Sequence, residues 1–368
     1  MRNLQRPGRS PVMASNAMIA TSHPLASQVG IDILKAGGNA VDAAIAACAT
    51  LCVVEPAMTG IGGDCFALYS PAGSTKPLAL KGSGRAPKAA SVDAIKAKGF
   101  DAIEVQSAHA VTIPGAIAAW TKLNTDHGTK PIQELLAPAI SYAENGFPIM
   151  HRVGIDWADL APKLLADDVS SKVLLKNGKA PKIGTIFSQP LLGATLKKIA
   201  AQGRSGFYKG EVAEDIVNRL NSLGGLHTLA DLEECQAEYV VPVSTDYKKH
   251  QVHECPPNGQ GICALIILNI LSRHDIKRLN EVDQIHLLAE ATKLAYHQRD
   301  LYISDPSFSK IPVEWLLSDK HTDQLNEMIN LDIASNIDSL KFPSHDDTTY
   351  LCCVDSNGNA ISFINSLF

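Results

Sequence analysis

A threonine hydroxyl is a weak nucleophile unless a base lies beside it. One way to supply that base is to make the threonine the first residue of a chain, so that its own α-amine takes the role. Thr348 is placed for this. It follows a polar, proline-containing stretch, Phe342-Pro343-Ser344-His345-Asp346-Asp347, and leads into the apolar run Tyr350 to Val354. A cleavable junction would lie in such a stretch, between Asp347 and Thr348. On spacing alone, an ordinary strand threonine is the commoner occupant of such a position. Other groupings offer less. Gly60-Ile61-Gly62-Gly63 is rich enough in glycine to cradle a phosphate, but it follows a helix and precedes a strand, whereas a dinucleotide loop runs from strand to helix. A tight turn needing positive φ is the plainer expectation there. His250 and His253 sit near Cys255, yet on a strand the two histidines point to opposite faces, which argues against a metal site. No GxSxG nucleophile elbow is present.

The elements that must position these residues follow from periodicity. Pro24 to Lys35 reads as a helix stopped by Gly37-Gly38. Asn39 caps a second helix, with Asp42 completing a capping box and an apolar stripe at Val41, Ile45, Cys48 and Cys52. Strands are expected at Cys65 to Tyr69, Leu78 to Lys81, Val240 to Tyr247 and His250 to His253. Helices are expected from Pro114-Gly115 to Leu123, and over Pro138 to Glu144, Glu211 to Leu223, Gln260 to Leu271 and Val282 to Tyr302. Asp355-Ser356-Asn357-Gly358-Asn359 between Tyr350–Val354 and Ala360–Leu367 is a hairpin turn. Phe368 falls inside that last strand, which reads as part of a longer protein.

The chain has 368 residues, enough for two domains or one large α/β unit. Its 33 basic and 38 acidic residues give a net charge of −5, without the basic stripe of a nucleic-acid binder. The longest apolar stretch, Ala43 to Val54, is too short to span a bilayer. The N-terminus is basic but has no apolar h-region, so no secretory signal is visible. The eight cysteines form no CxxC pair. Reduced thiols and a cytoplasmic location are expected, with no nucleic-acid or membrane partner.

The run Ala36-Gly37-Gly38-Asn39-Ala40-Val41-Asp42-Ala43-Ala44, with Val54-Glu55-Pro56 and Gly60-Ile61-Gly62-Gly63, closely resembles γ-glutamyltranspeptidase. The resemblance continues at Pro114-Gly115, Pro138-Ala139-Ile140, Pro256-Pro257 to Gly261, Glu290-Ala291 to Arg299 and Asp305-Pro306. It ends at Thr348-Thr349-Tyr350 to Asn359-Ala360 and so covers essentially the whole chain. It implies an α+β N-terminal-nucleophile hydrolase fold, a four-layer αββα sandwich incomplete in this chain. It also implies a precursor that cuts itself into a heterodimer, with 1–347 the large-subunit region and 348–368 the beginning of the small subunit. Thr348 matches the nucleophile, and Ser366 the hydroxyl residue that supports its amine. Tyr350 replaces a histidine. The family's arginine for the substrate α-carboxylate would stand at Ser83; Arg85, two residues on, is the substrate-binding candidate, expected to reach the same carboxylate from a shifted place. Phe368 replaces an amine-binding asparagine, and the oxyanion glycines would lie beyond it. These departures resemble the cephalosporin-acylase-like branch. The resemblance implies a small-molecule γ-glutamyl donor such as glutathione, water or an amino acid as acceptor, and no metal or organic cofactor; it also makes a periplasmic location the alternative. An acylase acting on other amides, a nucleotide-binding module on the Gly60–Gly63 loop, and a catalytically silent relative are the competing readings.

Overall fold

A computed structural model describes residues 11–336 and 348–367. Its centre is a six-stranded antiparallel sheet. The strands are β1 (Met18–Ala20), β2 (Asp64–Ser70), β3 (Leu78–Gly82), β6 (Glu238–Val240), β9 (Thr349–Val354) and β10 (Ala360–Ser366). Their order is β1-β9-β10-β2-β3-β6, so the C-terminal hairpin is inserted between strands from the N-terminal third. Two small pairs lie outside this sheet. One is β4 (Phe147–Pro148) with β5 (Ile186–Phe187), and the other β7 (Val243–Tyr247) with β8 (His250–Glu254).

The Ala40–Val54 helix forms the floor beneath the sheet. The expected capping box is present, since Asn39 accepts from the Asp42 N–H and Asp42 accepts from the Asn39 N–H. Instead of one apolar stripe, every residue from Ala40 to Val54 is buried, as an alanine-rich helix without a polar face must be. It contacts the Pro24–Lys35, Ala116–His127 and Ile132–Asn145 helices, and β9 and β10 above. Cys65, Ala67 and Tyr69 of β2, Leu351 and Cys353 of β9, and Ile361 and Phe363 of β10 share this core with it. Cys48 and Cys52 are buried within it. A second core joins the Gly261–Ser272 and Glu281–Tyr302 helices through Ile262, Ile266, Ile270, Ala291 and Leu294.

Three further expectations are corrected. Val240 to Tyr247 is two strands in two sheets, β6 and β7. Pro242 lies between them, and without an N–H it cannot continue a ladder. The Pro138 helix begins at Ile132 and carries Pro138 in its interior. Gly60, Gly62 and Gly63 are not among the positive-φ glycines; what Gly63 meets is backbone at close range, described below. No helix among the described residues is long and apolar enough to cross a membrane. Nor do the described residues contain a group of three or more His, Cys, Asp or Glu side chains placed to hold a metal.

Candidate active site

Thr348 stands immediately before β9, and the pairing Asn365↔Thr349 carries the register to Thr348 opposite Ser366. The pleat sends successive side chains to opposite faces. Thr349 is buried toward the helical floor, whereas Thr348 is exposed on the other face. There the Thr348 Oγ1 lies 2.9 Å from the Ser366 Oγ. The hairpin turn holds the far end. Asp355 accepts from the Asn357 and Asn359 N–H groups and from the Ala40 N–H at 3.0 Å, tying the turn to the start of the floor helix. Gly358 supplies the left-handed residue of that turn, with φ +87°.

Asn365 fixes the near end. It is 1% exposed. Its side chain accepts from Trp120 Nε1 at 3.2 Å and donates to Thr59 Oγ1 at 2.9 Å and to the Gly60 carbonyl at 3.1 Å. Its carbonyl accepts from the hydroxyls of Thr59 and Thr349. The glycine-rich loop is thereby clamped beneath β10. A Cβ on Gly63 would lie 1.7 Å from the Ser366 carbonyl oxygen, so only glycine permits this approach. The Gly63 carbonyl in turn accepts from the Gly115 and Ala116 N–H groups. The loop's backbone is committed to the fold.

Thr348 and Ser366 line a cavity of about 550 Å³ with Asp64, Phe66, Glu254 and Tyr350. Asp64 accepts from the Gly84 N–H at 3.0 Å. Burial raises its carboxyl above the ordinary value, and the Gly84 and Gly115 N–H groups partly offset this. Burial likewise raises Glu254. Tyr350 bonds Ser362 through its hydroxyl at 2.9 Å. Cys255 also lines the cavity, but burial, reinforced by Glu254, pushes its thiol up to about 12. It stays a protonated thiol near neutrality and does not compete as a nucleophile.

The two expected arginine positions separate. Ser83 lines the Thr348 cavity and also a neighbouring one of about 500 Å³; Arg85 lines only the neighbour. Asn258 lines both and donates to the Ser83 Oγ at 3.2 Å, so the Ser83–Asn258 pair forms the ridge between them. The structure therefore brings Thr348 and Ser366 together and leaves Arg85 beyond the ridge. Asp347 and Phe368 lie outside the described residues. Asn365, Asp64 and Glu254 were not singled out in the sequence. Asn365 carried a visible sign, a polar residue in the buried phase of an otherwise apolar strand.

The family model described as gamma-glutamyltranspeptidase matches residues 26–368. The chain is 37% identical over 360 residues to a glutathione hydrolase-like proenzyme of Bacillus subtilis, covering 97% of this chain and 68% of that protein. A cephalosporin acylase from Bacillus halodurans superposes with a TM-score of 0.90 at 38% identity, covering 100% of this chain and 68% of that one. The γ-glutamyltranspeptidase of Helicobacter pylori gives 0.83 at 29% identity, covering 90% and 97%. The chain spans about two thirds of the length of the curated relatives it matches. Its fold is the α+β N-terminal-nucleophile hydrolase fold of those enzymes. By the extent of the family match and by these identities, the chain belongs to the gamma-glutamyltranspeptidase family.

Proposed function

We propose that this chain carries the nucleophile of a self-processing γ-glutamyl amide hydrolase and transferase acting on glutathione or related γ-glutamyl compounds. The observation that carries the reading is the Thr348 hydroxyl, 2.9 Å from that of Ser366, at the wall of a cavity large enough for a small donor. In the precursor, Thr348 Oγ attacks the Asp347 carbonyl and the acyl group moves from nitrogen to oxygen. Hydrolysis of that ester frees the Thr348 amine. The chain 1–347 and the segment from Thr348 then persist as large and small subunits. The free amine takes the proton from its own hydroxyl, and Oγ attacks the donor carbonyl. The tetrahedral oxyanion collapses, the protonated amine gives its proton to the departing nitrogen, and an acyl-threonine ester remains. Water or an amino acid resolves it. Ser366 holds the Thr348 Oγ in line for each attack.

A specific observation favours a second reading, an acylase for other amides. The position expected to hold a carboxylate-binding arginine is Ser83, and among the described residues the cavity of Thr348 is lined by carboxyls and by no lysine or arginine. The two readings are tested by release of p-nitroaniline from γ-glutamyl-p-nitroanilide and from glutaryl-p-nitroanilide, which lacks the α-amine and α-carboxylate. Faster turnover of the γ-glutamyl donor is expected. Turnover of the glutaryl donor alone would overturn the first reading in favour of the second.

A further inference from the structure

We infer that the cavity holding Arg85 receives the leaving group of the donor, and the acceptor that replaces it, and that Arg85 binds the free carboxylate at the far end of that group. The inference rests on the reading of Thr348 as the acyl-forming residue. An amide cleaved at Thr348 has two halves, and the acyl half stays on the threonine while the amine half departs. The two cavities adjoin at one ridge, the Ser83–Asn258 pair. A donor whose carbonyl meets Thr348 can place one half on each side of it.

The charges decide which half goes where. Among the described residues, the charged side chains lining the Thr348 cavity are Asp64 and Glu254, both carboxyls. A lone carboxylate, such as that at the end of the leaving half, meets like charge there, whereas the acyl half of a γ-glutamyl donor brings beside its carboxylate an α-ammonium that these carboxyls suit. The neighbouring cavity is lined by Lys81, Arg85 and Lys88, with Asp231, Glu234, Glu238 and Asp305. Six of these seven groups are already satisfied. Lys81 pairs with Glu238 at 2.9 Å, and Lys88 with Glu234 at 2.5 Å. Asp231 accepts from Thr228 and from the Lys88 N–H. Asp305 accepts from the Ser307 N–H at 2.8 Å, which with the nearby Arg85 and Lys81 charges holds its carboxyl below the ordinary value. Arg85 makes no ion pair among the described residues; its Nη1 reaches only the Ser307 hydroxyl, at 3.4 Å. A guanidinium fork facing a cavity with its donors largely unused suits the planar carboxylate of a peptide C-terminus.

The test uses the processed enzyme and its Arg85→Ala and Arg85→Lys forms. Glutathione departs as a dipeptide with a free carboxylate, whereas γ-glutamyl-p-nitroanilide departs as a neutral aniline. Arg85→Ala is expected to raise the KM for glutathione about tenfold or more, the scale of one lost charge-assisted hydrogen bond. The effect on the anilide should be at least fivefold smaller, and Arg85→Lys should restore part of the loss. An equal effect on both donors would put Arg85 on the acyl half and overturn the inference. A second arm is independent of turnover. Calorimetric binding of glycylglycine and of its C-terminal amide should show a preference for the free acid that Arg85→Ala removes. Equal binding of acid and amide by the unaltered enzyme would overturn the inference. Failure of the γ-glutamyl reading looks different: neither donor is cleaved, yet the preference for the free acid persists.

Discussion

The hydroxyls of Thr348 and Ser366 face each other at 2.9 Å across the open end of the β9–β10 pair, one step beyond the last pairing of the ladder. The contact depends on register. A one-residue slip would turn Thr348 to the floor and bring Thr349 to the cavity. Removing the Ser366 hydroxyl should therefore slow chemistry without unfolding the protein. Ser366→Ala is expected to reduce both self-cleavage and turnover about three- to tenfold, the scale of one neutral hydrogen bond. Time courses of small-subunit appearance and of donor hydrolysis check this; an unchanged rate in both would detach Ser366 from the site.

Gly63 sets how closely the loop approaches that pair. Gly63→Ala places a methyl inside the Ser366 carbonyl, so the end of β10 must shift. Overpacking of this kind costs about 1–3 kcal/mol or more. A lower melting temperature and severely impaired processing are expected. Gly62→Ala, where nothing lies within 4 Å, is the control and should behave as the parent.

Asn365→Ala should be costly for a different reason. It leaves the Trp120 indole N–H without its acceptor in the core and releases Thr59 and the Gly60 carbonyl from their clamp. Unsatisfied buried groups of this kind cost about 1–3 kcal/mol each. A loss of about 2–4 kcal/mol in denaturant unfolding is expected, with a shifted midpoint and an unchanged slope.

Asp355 gives a pH signature. Burial alone would raise its carboxyl, but hydrogen bonds from Asn359, from the Ala40 N–H and from Asn357 outweigh that and hold it below its ordinary value. A carboxyl depressed in the folded state contributes stability above its unfolded value near 3.9, and loses it as the pH falls through the folded value. Asp355→Asn should thus lower the melting temperature at pH 7. The gap to the parent should narrow as the pH drops below about 4. A gap that widens on acidification would contradict the assignment.

The local elements were legible because their determinants are local. The Asn39–Asp42 capping box, the Gly37-Gly38 stop and the Asn357-Gly358 turn each act within a few residues, and the structure has all three. The strand order was not legible. β1 beside β9 and β2 beside β10 join residues near 19 and 67 to residues near 353 and 363, and no periodicity encodes a pairing at that separation. Pro242 was present in the sequence but its consequence, the division between β6 and β7, depends on which sheet each half joins. Arg85 was singled out by residue type and neighbourhood. Its place beyond the Ser83–Asn258 ridge follows from Asn258, a residue far away in the chain. Glu254 owes its importance to a cavity assembled by the fold, and Asn365, although its polar side chain in a buried phase is visible in the sequence, to partners far away in the chain.

The central claim is that the Thr348 hydroxyl first opens its own peptide bond and then serves as nucleophile. Thr348→Ala should abolish cleavage and turnover together. Thr348→Ser should keep both at a lower rate, since serine retains the hydroxyl and loses the methyl that restrains its rotamer. The most direct measurement is N-terminal sequencing of the small subunit from the processed enzyme, beside the Thr348→Ala protein. The account predicts a chain beginning Thr348-Thr349-Tyr350 from the parent and no cleavage in the variant. A first residue other than Thr348, or a Thr348→Ala protein that still divides into two chains, would contradict it.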